Sequence, residues 1–116
     1  MRRMKTYTGA TGYVYQYYFV GKRPALPPED PATEFIFDVT ADRKTTFAAS
    51  VFLKPGALET WRGQHSRELT ETEQYAAAKM RLLRAFDEIE TMMKHGRRLV
   101  IDSENIEELL EPLGLD

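Results

Sequence analysis

The sequence predicts an α+β domain: an antiparallel three-stranded meander packed by one long amphipathic helix. Three observations carry the prediction. Two segments near the middle of the chain alternate apolar and polar residues with the period of a half-buried strand. A later segment opens on Thr70-Glu71-Thr72-Glu73, a capping box, and carries an apolar stripe at helical spacing. Four of the six tyrosines fall within residues 13–18, in the run Gly12-Tyr-Val-Tyr-Gln-Tyr-Tyr-Phe-Val-Gly21. Aromatic residues favour strands.

Taken in order, residues 1–11 are expected to form a loose arm ending in Thr8-Gly9-Ala10-Thr11-Gly12. The first strand is expected over about 12–21. Successive side chains on a strand face opposite ways, so Tyr13, Tyr15, Tyr17 and Phe19 share one face and Val14, Gln16, Tyr18 and Val20 the other. Both faces are largely apolar. Pro24, Pro27, Pro28 and Pro31 then make 22–32 a stiff loop, because proline lacks a ladder donor and restricts its neighbour. Residues 33–41 place Phe35, Phe37 and Val39 on one face. The turn 41–44 leads into a strand over 45–54, with Phe47, Ala49, Val51 and Leu53 on one face. Pro55-Gly56 ends the sheet.

A short helix follows over 57–64, anchored by Leu58 and Trp61. The long helix is expected over about 71–94, with Tyr75, Leu82, Phe86, Ile89 and Met93 as its stripe, Met80, Leu83 and Met92 broadening it, and Gly96 as a left-handed terminator. Leu99-Val100-Ile101 suggests a short fourth strand over 98–102. A C-terminal helix over about 103–111 carries Ile106, Leu109, Leu110 and Leu113 along one face, with Pro112 and Gly114 closing it.

At 116 residues the chain is of single-domain length. Zero cysteines exclude disulfides, thiolate metal sites and a cysteine nucleophile. The net charge of −2 argues against a dedicated nucleic-acid binder. The charge is uneven: residues 1–60 carry eight Lys/Arg against six Asp/Glu, and residues 61–116 eight against twelve. No apolar run approaches a membrane span and no leader pattern opens the chain, so a cytoplasmic protein is expected.

No catalytic, cofactor or metal residue is nominated. Gly9-Ala10-Thr11-Gly12 leads into a strand and lacks the lysine of a phosphate loop. His65 and His95 are thirty positions apart, and Glu68 is the only ligand type at i+3 or i+4 of either, a weak metal signal. Asp87, Glu88 and Glu90, and Glu104, Glu107, Glu108 and Glu111, read as solvated helix faces. The candidate binding residues are Tyr13, Tyr15, Tyr17, Tyr18, Lys22 and Arg23. The tyrosine row suits a sheet core, a subunit interface or a base-stacking platform. The favoured expectation is a non-enzymatic domain that associates with a copy of itself or another protein. The alternative is a single-stranded nucleic-acid module using Tyr13, Tyr15, Tyr17, Lys22, Arg23, Arg43 and Lys44. Neither reading calls for a cofactor or a membrane.

Overall fold

A computed structural model describes residues 3–115. Its sheet has five strands in the order β1-β2-β3-β4-β5: Lys5–Thr8, Val14–Pro24, Thr33–Thr40, Phe47–Leu53 and Arg98–Ile101. The first four form an antiparallel meander, and β5 runs parallel to β4. A parallel neighbour needs a crossover. Helices α1 (Pro55–His65), α2 (Glu71–Glu88) and α3 (Met92–His95) make it, and α4 (Ile106–Leu110) with a 3-10 turn at Glu111–Leu113 follows β5. The fold is therefore α+β, with the expected meander extended by one strand at each side.

The extra strand β1 corrects the loose arm expected over residues 1–11. Lys5 to Thr8 pair with Tyr17 to Val14, and Gly9 to Tyr13 form a tight hairpin loop. Gly9 N donates to Tyr13 O at 2.9 Å, Gly12 N donates to Gly9 O at 3.0 Å, and Gly12 sits at φ +98°, where glycine alone is unstrained. The loop docks on the end of α2. Ala10 N donates to Asp87 Oδ1 at 2.9 Å, and Thr11 Oγ1 donates to Phe86 O at 3.3 Å.

That docking accounts for a second correction. The long helix stops at Glu88 rather than continuing to 94. The Phe86 carbonyl, which an unbroken helix would offer to residue 90, accepts from Thr11 instead. Ile89 is extended (φ −105°, ψ 114°) and Thr91 leads into the separate α3. The break shifts the helical phase, so Met92 is buried and Met93 is 43% exposed. Gly96 is likewise not left-handed (φ −114°). It is needed for close approach: a Cβ there would lie 2.2 Å from Met92 Sδ.

Other local signals appear as expected. Thr70 Oγ1 accepts from Glu73 N at 3.1 Å, and the Glu73 carboxylate accepts from Thr70 N at 2.9 Å. Phe35, Phe37, Val39, Phe47, Ala49, Val51 and Leu53 are buried against Trp61, Ala77, Ala78, Leu82, Ala85 and Phe86. β5 adds Leu99 and Ile101, and α4 adds Ile106, Leu109 and Leu110. The outer edge of β5 is closed, since Arg81 Nε and Asn105 Nδ2 each donate to Val100 O at 3.0 Å. A bare strand edge invites pairing, and here side chains occupy it.

Candidate functional site

The tyrosine strand divides between the two faces of the sheet. Tyr15 and Tyr17 point into the helix-covered core. Tyr15 stacks on Phe86 with ring centroids 4.1 Å apart and planes at 7°. Tyr17 lies 5.8 Å from Phe86, and Phe19 meets Tyr75 edge-on at 4.9 Å. Burial raises the Tyr15 and Tyr17 phenols above their ordinary pKa, although a hydrogen bond with Thr11 pulls Tyr15 the other way. Tyr13, at the hairpin end, is 46% exposed. It borders a small cavity of about 160 Å³ lined by Tyr15, Phe47, Met92 and Met93.

The other face carries Val14, Gln16 and Tyr18, beside Ile36, Asp38 and Thr40 of β3. None of these residues belongs to the helix-covered core. Val14 is 45% exposed, while Gln16, Tyr18 and Ile36 are half-buried. Tyr18 Oη donates to Asp38 Oδ2 at 2.7 Å, which supplies the polar tip with a partner. Thr6 and Thr8 of β1 extend the surface opposite Gln16 and Val14.

Lys22 and Arg23 do not act together. The β2–β3 register shifts between Phe19 and Gly21, and one extra residue exchanges the faces of everything beyond it. Lys22 falls opposite Phe35, with Nζ 5.9 Å from that ring's centroid and 3.5 Å from Glu71. Arg23 falls opposite Glu34 on the other face, and its Nε donates to Glu34 Oε1 at 2.9 Å. Glu34 also accepts from Ser50 Oγ at 2.6 Å. Burial works to raise the Glu34 carboxyl, but the Ser50 and Arg23 hydrogen bonds and the Arg23 charge outweigh it and hold it below the usual range. Arg43 and Lys44 lie in the β3–β4 turn, about six strand residues or roughly 20 Å from Arg23. The cations invoked for a nucleic-acid strip thus stand at opposite ends of the sheet, and Tyr15 and Tyr17 are covered by α2.

The Pro-rich loop covers one end of the outer face. Glu29 pairs with Arg98, whose guanidinium lies 5.3 Å from the Phe52 ring centroid. Lys54 Nζ donates to Glu29 O at 2.9 Å. Phe52, which points away from the helices, is thereby only 3% exposed.

Two further groups lie outside the residues nominated from the sequence. His65 Nε2 lies 3.0 and 3.1 Å from the Glu107 carboxylate oxygens, and its ring stacks on Trp61 at 4.0 Å. Glu107 is 42 positions away, so a search at i+3 and i+4 misses it. Leu110, Glu111 and Leu115 complete a cleft of about 300 Å³ there. Its lining holds no hydroxyl or thiol that the imidazole could activate, so this pair ties α1 to α4. The second group is Lys94, His95, Arg97 and Arg98, which line an open cleft of about 640 Å³ floored by Ala48 and Ser50. The run Lys94-His95-Gly96-Arg97-Arg98 was its signal in the sequence.

Among the described residues no cluster of three or more His, Asp or Glu is arranged to hold a metal ion. No helix among them is long and apolar enough to cross a membrane. No protein-family model, curated protein or solved structure matches the chain.

Proposed function

We propose that this protein works by association through the helix-free face of its sheet, most simply as a homodimer. The observation that carries the reading is the outer row Val14, Gln16, Tyr18 and Ile36, flanked by Thr6 and Thr8. It is apolar or uncharged, lies outside the helix-covered core, and includes an aliphatic side chain nearly half exposed. Its one charge among these neighbours, Asp38, already accepts a hydrogen bond from Tyr18. A two-fold interface sets a patch against itself, so a patch with little net charge meets its copy without repulsion. Tyrosine also suits such a surface, since its ring contributes contact area at low entropic cost.

Light scattering on a gel-filtered sample tests the reading. A dimer mass at tens of micromolar supports it, and a monomer at that concentration overturns it. Val14→Lys introduces charge at an exposed position, so it should convert the dimer to a monomer that keeps its folded circular-dichroism spectrum, the melting temperature falling only by the lost dimer linkage. A dimer that persists in Val14→Lys would place the interface elsewhere.

A further inference from the structure

We propose that the cleft at the β4–β5 side of the sheet binds a small phosphorylated molecule through Lys94, His95 and Arg97. This goes beyond the association reading and involves different residues.

The cleft is built by one tight turn. Met92 is anchored in the core and packs directly against Gly96, leaving no room for a side chain there. The close approach brings the last residues of α3 and the first of β5 around the same hollow. Lys94 and His95 come from the helical side, Arg97 and Arg98 from the strand side. Ala48 and Ser50 are small, so the floor stays open beneath these long side chains.

Charge is uncompensated there. Of the four, Arg98 is engaged with Glu29. Arg97 donates through Nε to Ala48 O at 3.2 Å, which fixes the stem of the guanidinium and leaves its terminal nitrogens for a ligand. The side chains of Lys94 and His95 have no hydrogen-bond or ion-pair partner among the described residues. The nearby carboxylates are committed: Glu29 to Arg98, Glu34 to Ser50 and Arg23, and Asp38, which lies across from Ala48, to the Tyr18 hydroxyl. Ser50 gives its proton to Glu34, so its hydroxyl is not a free donor. Like charges gathered in a concave site raise the local positive potential.

The donor set matches a phosphate. A guanidinium offers a planar pair of N–H groups, an ammonium a mobile point charge, and an imidazole a further N–H. The volume of about 640 Å³ exceeds what a bare phosphate fills and lies in the range of small-molecule sites. A polynucleotide is disfavoured because no Phe, Tyr or Trp lines the cleft to stack a base.

A ¹H–¹⁵N NMR titration with inorganic pyrophosphate at low salt tests the assignment, beside a parallel titration with single-stranded oligothymidylate. Saturable shifts confined to residues 48–50 and 94–98 are expected. Lys94→Gln with His95→Gln should weaken pyrophosphate binding about tenfold or more, both side chains being exposed and unpartnered. Arg97→Lys should weaken it while leaving the spectrum folded. Absence of saturable shifts up to about 10 mM pyrophosphate overturns the proposal. So does an affinity unchanged in the double variant. Tighter binding of the oligonucleotide at the same amides would replace the small ligand with a nucleic-acid strand and overturn the stated occupant.

Discussion

Replacing Asp87 by alanine should loosen the first strand on the long helix at a cost of about 2 kcal/mol. Asp87 stands in the last turn of α2, where Tyr7 Oη lies 3.0 and 2.9 Å from its two carboxylate oxygens. That is one shared hydrogen bond from a half-buried phenol. Ala10 N adds a second, at 2.9 Å to Oδ1, from an exposed amide. Hydrogen bonds to charged groups contribute roughly 1.5–3 kcal/mol when sheltered and less when water can replace them. The first bond therefore supplies most of the total and the second a few tenths. The Tyr7 ring stays near Phe86, with centroids 6.0 Å apart, so β1 should loosen rather than detach. The assay is native-state hydrogen exchange. Two kcal/mol corresponds to about 30-fold faster opening, read at the Tyr7 and Gly9 amides against unchanged α2 amides. Asp87→Asn keeps one acceptor oxygen and should lose about half as much. The same contact raises the Tyr7 phenol above its ordinary 10.0, first through the hydrogen bond to Asp87 and then through burial. Its folded pKa being the higher, the contribution is complete below pH 10 and lost as pH rises through the folded value. Asp87→Ala should reduce that alkaline loss to the part that burial alone causes. Wild-type exchange rates at Tyr7 and Gly9 in Asp87→Ala would refute the reasoning.

The Glu73 carboxyl is pulled from 4.5 down to about 2, first by hydrogen bonds from Arg67 and then by the Thr70 amide. Its contribution to the helix start is present above pH 4.5 and lost as pH falls through about 2. A carboxyl titration by NMR with a midpoint near the ordinary value would contradict the capping geometry. Gly9→Ala should destabilise the fold by about 1–3 kcal/mol, because its Cβ would sit 2.4 Å from the Phe86 carbonyl oxygen, a backbone atom that cannot rotate aside. Urea denaturation measures this, and an unchanged midpoint would show that the hairpin loop does not rest on α2.

Much of the fold was legible because its signals are local. Alternation in 33–54, the Thr70–Glu73 box and the Pro55-Gly56 stop each depend on residues a few positions apart. Their outcomes match the expected elements to within a few residues. The hairpin Lys5–Tyr15 was less visible, since four polar-looking residues followed by Gly9 and Gly12 resemble an arm until Asp87 and Phe86 receive them. For the binding residues, the sequence singled out the tyrosine row but could not say which half was covered.

By itself, then, the sequence determined the three-stranded meander, the start of the long helix and, within each regular segment, which side chains share a face. Those properties follow from backbone periodicity and the chemistry of caps and turns. Only the tertiary structure decided where the chain is open. A bulge after Phe19 exchanged the faces of Lys22 and Arg23, setting Lys22 beside Phe35 and Arg23 beside Glu34, and the Thr11 contact with Phe86 ended α2 early enough to bury Met92 and expose Met93. The pairing of β5 beside β4 set the run of four basic side chains over Ala48 and Ser50. Each depends on which residues meet across the fold, because a one-residue offset reverses a strand's faces and turns a helix by about 100°.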